Sequence, residues 1–306
     1  MEWGSILYKE KFVNKWYGST EANIVGIPLS NMPPPWQSSV PTPAVQLKNL
    51  GSRGPFVNGF RDYNYDSDFS DLVAGKRVVL VCPSPHLQGK KMGAKIDSYD
   101  LVVRVNQHYH MTKNEQPDYG FRTDILMNCL NIHKINALRG NMNFPRSLKY
   151  IVCPNLSMWD IQRVENFLNE IGTPWHNVCD GYLFKIFKEV GTICNTGLTS
   201  ILTLLNYDIK ELYVTGMTFF NMNTFGKVYY DKYHDEASKN GNFRSTPDRA
   251  PSIKDLRMDI HHQSPQIEYF KKVVQTHYGS KLSLDNYLME NFKNSVEIAK
   301  RKNLND

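Results

Sequence analysis

From residue 75 onward, short continuous apolar runs alternate with longer stretches of helical spacing. The runs are residues 77–82 (RVVLVC), 101–105 (LVVRV), 124–128 (DILMN), 149–153 (KYIVC) and 211–215 (ELYVT). They are rich in β-branched residues and do not alternate with polar ones. That suits strands buried on both faces, as in a parallel sheet. Between them, Ile161, Val164, Phe167, Leu168 and Ile171 recur at helical spacing, predicting a helix over 159–171. Residues 182–190 and 196–207 (TGLTSILTLLNY) read the same way, with Asn195 or Thr196 as N-cap of the second. A further helix is expected over 265–278. A terminal one is expected over 283–300, capped by Ser283, with a frayed basic tail. Strands alternating with helices predict an α/β fold with a doubly wound sheet. Residues 1–72 lack this texture. The stretch 31–36 (NMPPPW), followed by Pro41 and Pro43, has too few amide donors for an internal helix or strand. It reads as an irregular, extended N-terminal arm, with the patterned domain over 73–306.

Composition narrows the class without changing the fold. The 306 residues are 41% hydrophobic and 22% charged, enough to bury a core, which excludes disordered and fibrous chains. No apolar run approaches the roughly 18 residues of a membrane span. The polar start, dotted with Lys and Glu, has no signal-peptide or signal-anchor pattern. The 36 Lys and Arg against 30 Asp and Glu give a net charge of +6, and the basic residues are scattered. That reads as a solvated surface in preference to a footprint for an anionic ligand, and no nucleic-acid partner is expected. Cys82, Cys129, Cys153, Cys179 and Cys194 are odd in number and form no CxxC pair, which argues against a zinc ribbon or a disulfide framework. Three of them sit in or beside apolar runs, where free Cys packs as a small hydrophobe.

In open α/β sheets ligands bind at the carboxyl ends of the strands. The turn after Cys82 runs Pro83-Ser84-Pro85-His86-Leu87-Gln88-Gly89. It carries neither GxGxxG nor the GK[ST] of a P-loop, yet Ser84 and the glycines could let amides meet a phosphate. Residues 96–106 (IDSYDLVVRVN) end a strand in Arg104 and Asn106, and an Asn side chain offers both donor and acceptor to a ribose or base edge. Gly120-Phe121-Arg122-Thr123-Asp124 leads a basic residue into the next strand. Asn195-Thr196-Gly197 opens an apolar helix whose N-terminal amides favour anions.

Together these blocks resemble the sialylmotifs of the family 29 glycosyltransferases, the sialyltransferases. Gly93, Ile96-Asp97-Ser98, Asp100, Val103, Arg104 and Asn106, with Gly120-x-Arg122-Thr123 downstream, resemble the large motif. Residues 195–219 resemble the small motif, through Thr196-Gly197 and Tyr213-Val214-Thr215-Gly216-Met217. Val228-Tyr229-Tyr230-Asp231 looks like the third motif, and His262 followed by Glu268 like the last, with one extra residue. The resemblance covers roughly residues 75–272. It implies a GT-A-like variant with a single Rossmann-type, mostly parallel sheet flanked by helices. It also implies a metal-independent inverting enzyme moving sialic acid from CMP-sialic acid to a sugar hydroxyl, with no further cofactor. Ser84, Asn106, Asn195, Thr196, Gly197, Gly216 and Tyr230 would hold the nucleotide-sugar donor opposite a glycan acceptor. His262 would be the general base, with His261 as fallback, an imidazole having a reference pKa near working pH.

The departures from the family are specific. Pro83 stands where the family commonly has Asn. Val228 replaces the third-motif His that assists the leaving phosphate, so His234, Tyr230 or Tyr229 would have to stand in. The cysteines that join the two motifs in animal members are missing: Val78 occupies the first position and no Cys lies near Tyr207-Asp208. This fits a reducing compartment, and so a cytosolic, viral or bacterial member. Another CMP-sugar such as Kdo, or a non-catalytic nucleotide- or glycan-binding relative, remains as an alternative. So does metal-dependent chemistry on Asp66 and Asp68, whose DxD spacing lies in a stretch that otherwise reads as a solvated loop. His108 and His110 alternate like residues on one strand face and could bind a metal.

Overall fold

The computed structural model describes residues 66–106, 109–130, 132–139, 148–154, 161–177, 183, 186, 189–192, 194–219 and 263–304. The remaining N-terminal arm, through residue 65, lies outside these residues. Seven strands form one sheet: β1 Arg77–Val81, β2 Leu101–Val105, β3 Ile125–Met127, β4 Tyr150–Cys153, β5 Trp175–Asn177, β6 Glu211–Thr215 and β7 Leu282–Leu284. Their order is β5-β4-β3-β2-β1-β6-β7, and every neighbouring pair is parallel. The α/β reading of the sequence holds. The five apolar runs are β1, β2, β3, β4 and β6, trimmed by a residue or so at their ends.

Continuous apolar strands are explained by cover on both faces. On one face, Val78, Leu80, Val103, Ile125, Met127 and Val214 pack against helices α1 (Ser67–Val73), α6 (Thr196–Leu205), α7 (Gln263–His277), α8 (Asn286–Asn291) and α9 (Lys293–Asn303). On the other, Val79, Val81 and Val102 pack against α2 (Gly93–Asp97) and α3 (Gln116–Tyr119). Leu126 and Ile151 pack there against α4 (Ile132–Arg139) and α5 (Ile161–Ile171). Among the described residues, no helix is long and apolar enough to cross a membrane. Among the described residues, Cys82, Cys129, Cys153 and Cys194 form no disulfide with one another; Cys179 lies outside the described residues.

Four local expectations change. The helix α1 lies inside the stretch read as an irregular arm, because Phe69 and Val73 are fully buried in the main core. The terminal helix does not start at Ser283: residues 282–284 pair with β6 as β7, Asp285 is the cap, and the helix breaks at Phe292 into α8 and α9. A three-residue edge strand is too short to announce itself by pattern, and β5 was missed for the same reason. β2 ends at Val105, so His110 sits in an exposed loop and not on a strand face. His108 lies outside the described residues. Arg104 does not face a ligand edge. Its side chain is fully buried and donates to the carbonyls of Arg122, Tyr119 and Gly120 and to Thr123 Oγ1.

Asp66 is neither a solvated loop residue nor an open metal ligand. It is buried and caps α1, accepting from the Phe69 amide at 2.7 Å and from the Tyr150 hydroxyl at 2.8 Å. Burial, and then the charge of Asp66, pushes the Tyr150 phenol up. Asp68 is exposed. Asp66→Ala removes a cap worth about 1 kcal/mol and leaves a buried phenol without its acceptor, worth roughly 1–3 kcal/mol. Urea unfolding should show a loss of about 2 kcal/mol or more for Asp66→Ala, and within about 0.5 kcal/mol of zero for Asp68→Ala.

Candidate functional site at the carboxyl ends of the central strands

The chain builds β1 to β5 outward in one direction, then returns to lay β6 on the other side of β1. The strand order therefore reverses between β1 and β6, the position at which open α/β sheets form a ligand crevice. Two glycines let the backbone converge there. Gly216, just after β6, has φ +75°, and a Cβ on it would lie 2.2 Å from the Cys82 carbonyl oxygen. Gly197, in the first turn of α6, would carry a Cβ 3.3 Å from Cys82 Sγ. The helix start, the β1 turn and the β6 turn therefore meet around Cys82. Burial, and then the charge of Asp285, pushes the Cys82 thiol up to about 12, so it is a packing group and not a nucleophile.

Asn195 caps α6: its Oδ1 accepts from the Leu198 amide at 2.9 Å, while its own amide donates to Gln266 Oε1 at 2.8 Å and its Nδ2 to Gln263 Oε1 at 3.4 Å. The cap ties the start of α6 to the start of α7. Among the described residues, nothing accepts from the amides of Thr196 and Gly197, which leaves two donors at the positive end of a ten-residue helix.

Neighbouring strands β2 and β3 each end in an asparagine. Asn106 has φ +56°, and its Oδ1 accepts from the Cys129 amide at 3.3 Å. Asn128 is fully buried, and its Oδ1 accepts from the Leu130 amide at 2.8 Å. These bonds from backbone N–H fix both amide orientations, so each side chain presents its NH2 group elsewhere. Asn128 Nδ2 is buried and unpartnered. A buried donor without an acceptor costs about 1–3 kcal/mol, and a ligand oxygen would relieve it. Sequence reasoning singled out Asn106 but passed over Asn128. The signal was the same in both, an Asn directly after an apolar run.

The turn after β1 contains a second feature that the sequence did not reveal. Ser84 is fully buried, and its Oγ lies 3.1 Å from His86 Nδ1 in the single 3-10 turn Pro85–Leu87. His86 Nε2 donates to Asp285 Oδ2 at 2.9 Å. The same carboxylate accepts from Thr215 Oγ1, from the Gly216 amide and, as the cap of α8, from the Leu288 amide. The Thr215, Gly216 and Leu288 donors favour the ionised carboxylate, and an ionised Asp285 assigns the hydrogen of His86 to Nε2. Burial alone would raise the Asp285 carboxyl, but the His86 hydrogen bond and charge, with the Leu288 and Thr215 bonds, hold it below its ordinary value.

The structure thus gathers Ser84, Asn106, Asn195, Thr196, Gly197 and Gly216 along one edge of the sheet, and adds Asn128, His86 and Asp285. The other predicted residues, Tyr229, Tyr230, His234, His261 and His262, lie outside the described residues. The block around Arg122 is at the opposite, amino edge. There Arg122 donates to the carbonyls of Asp97, Tyr99 and Asp100 and to Asp124 Oδ2, and so fastens the entries to β2 and β3.

No family model matches the chain, and neither does any curated protein. Solved structures do resemble it. Those compared are sialyltransferases. CstII from Campylobacter jejuni, in complex with the substrate analogue CMP-3FNeuAc, is 16% identical, with a TM-score of 0.45 over 71% of this chain and 85% of that one. The monofunctional alpha-2,3-sialyltransferase Cst-I of the same organism is also 16% identical, with a TM-score of 0.45 over 78% and 85%. A mammalian sialyltransferase in complex with Gal-beta-1-3GalNAc-ortho-nitrophenol is 15% identical, with a TM-score of 0.44 over 71% of each chain. The fold assignment rests on the observed strand order.

The close approach at Gly216 is directly testable. Gly216→Ala adds a left-handed penalty of about 1–2 kcal/mol to a backbone clash of about 1–3 kcal/mol. Gly89 has φ +73° with open space around it, so Gly89→Ala carries the first cost alone. Denaturant unfolding should place Gly216→Ala lower than Gly89→Ala by about 1–3 kcal/mol.

Proposed function

We propose that the chain is a CMP-sugar-dependent glycosyltransferase of the sialyltransferase type, moving sialic acid from CMP-sialic acid to a sugar hydroxyl. The observation that carries this reading is the pair of oriented asparagine amides beside a helix start whose first two amides lack acceptors among the described residues, at the point where the strand order reverses. The amides of Asn106 and Asn128 suit ribose and pyrimidine oxygens, and the α6 start suits a phosphate. Asn106, Thr196 and Gly197 are also among the residues that carry the sialylmotif resemblance of the sequence.

In this reading His262 takes the proton of the acceptor hydroxyl while that oxygen attacks the anomeric carbon. The bond from that carbon to the phosphate oxygen breaks, the configuration inverts, and CMP leaves. Its growing charge is met by the Thr196 and Gly197 amides, with His234 or Tyr230 as further donors. No metal is needed for this charge balance.

The test is CMP release and sugar transfer with CMP-sialic acid and CMP-Kdo offered separately. Transfer from CMP-sialic acid, undiminished in EDTA, is expected. His262→Ala should abolish transfer while CMP affinity stays within a few-fold. Asn128→Ala should weaken CMP binding about tenfold, the worth of one buried hydrogen bond. CMP release from CMP-Kdo alone would replace the donor. CMP binding with no turnover of either sugar would make the chain a binding protein.

A further inference from the structure

Helix α9 has one face that the fold uses and one that it does not. The inner face is packed: Ser295, Val296 and Ala299 are buried, Val296 joins the main core, and Ser295 Oγ accepts from Gln275 Nε2 of α7 at 3.3 Å. The outer face carries exposed apolar groups. Among the described residues three large hydrophobic side chains are exposed, and two of them are here. Ile298 is 41% exposed, and Leu304, the C-cap, is 84% exposed.

Charge is concentrated on the same helix. Residues 293–304 carry Lys293, Lys300, Arg301 and Lys302 against Glu297, a net charge of +3 (4 − 1). That is half of the +6 of the whole chain, in 12 of its 306 residues. All five side chains are exposed, and Lys300 pairs with Glu297 at 3.0 Å. Ile298, Arg301 and Leu304 follow at three-residue intervals, so they are neighbours along the outer face, with Lys300 and Lys302 on either side of that row. Two ordinary explanations each cover half of this. Cations in a last turn suit the carbonyl end of the helix dipole, and a single exposed Leu needs no reason. Neither accounts for apolar groups set among the cations. A nucleic acid would use the cations and leave Ile298 and Leu304 unexplained. An anionic bilayer surface uses both, since headgroups attract the cations and the acyl boundary beneath takes the apolar side chains.

We propose that the outer face of α9 docks on an anionic membrane surface, with Lys293, Lys300, Arg301 and Lys302 against the headgroups and Ile298 and Leu304 in the boundary below them. The contact is peripheral: the 11 residues of α9 span about 16 Å, roughly half a hydrocarbon core. It is reversible and weakened by salt, because most of the attraction is between exposed charges. It involves no residue of the crevice, so it does not depend on the nucleotide reading.

The test is sedimentation of the full chain with vesicles of phosphatidylcholine alone or with about 30% phosphatidylglycerol, at about 0.1 M and about 1 M salt. Binding to the anionic vesicles at the lower salt is expected, with release at the higher salt and no binding to phosphatidylcholine. Lys300→Gln, Arg301→Gln and Lys302→Gln together should weaken binding about a hundredfold, at roughly fivefold per cation. Ile298→Ser with Leu304→Ser should weaken it at least about tenfold. Phe121→Ser removes the third exposed hydrophobic side chain, on the turn held by Asp97, and should leave binding unchanged. The substituted side chains are exposed, so all variants should melt close to the unmodified chain. Four outcomes overturn the inference: no binding to anionic vesicles, equal binding to both compositions, full binding by the folded α9 variants, or binding to a DNA duplex and not to vesicles. None of these readouts involves CMP, so the inference and the nucleotide reading fail separately.

Discussion

The contact that organises this molecule is the backbone approach of Gly216 to the Cys82 carbonyl. β1 and β6 pair along five residues, from Arg77 with Glu211 to Val81 with Thr215. The Cys82 amide continues the ladder to the Thr215 carbonyl at 2.9 Å. Beyond that point the two chains would diverge if position 216 carried a side chain. Because it does not, the two turns stay in contact and α6 can start directly over them. Asp285 then closes the group, joining the β1 turn through His86, the β6 turn through Thr215 and Gly216, and α8 through Leu288. The convergence of turns at the reversal of strand order is thus a product of one glycine and one carboxylate, and the surrounding polar groups are positioned relative to that pair.

Much of the sheet was legible because burial on both faces writes itself as unbroken apolar runs. β1, β2 and β6 could be read to within a residue. β5 and β7 could not, since three-residue edge strands carry too little pattern to separate them from loops. Ser283 looked like a cap because it precedes a helical stretch, but its hydroxyl instead bonds Glu211 across the β6–β7 pair, and Asp285 two residues later is the cap. Of the two caps read for α6, Asn195 or Thr196, Asn195 is the one formed, and the sequence came within a residue because the N-cap rule is local. The His86–Asp285 pair was illegible for the opposite reason: 199 residues separate its members, and no spacing rule links them.

The motif residues divide into two groups once they are placed. Asp97 accepts from the amides of Phe121 and Arg122, Asp100 from the amide of Arg77, and Asp124 from the amide of Val102. With Arg104 and Arg122 they form a polar brace that fixes how β1, β2 and β3 enter the sheet. Burial lowers the Arg104 guanidinium to about 10, with Asp97 and Asp124 opposing that shift, and its partners are backbone carbonyls. These residues hold the fold, and even Arg104, one residue from the carboxyl end of β2, turns its side chain to the carbonyls of Arg122 and Tyr119. The motif residues that do reach the carboxyl edge are Asn106, Thr196, Gly197 and Gly216, with Asn128 beside them from outside the motif. The resemblance therefore speaks to architecture through the first group, and to chemistry only through the smaller second one.

That division explains how the motif can survive the loss of individual ligand contacts. Pro83 interrupts the one turn position where the family commonly places an Asn, yet the turn keeps its course. The Tyr119 hydroxyl holds the Ser84 carbonyl at 2.9 Å, and His86 is held by Asp285. The turn is fixed from the interior, so a departure from the family pattern on its outer side need not alter its course.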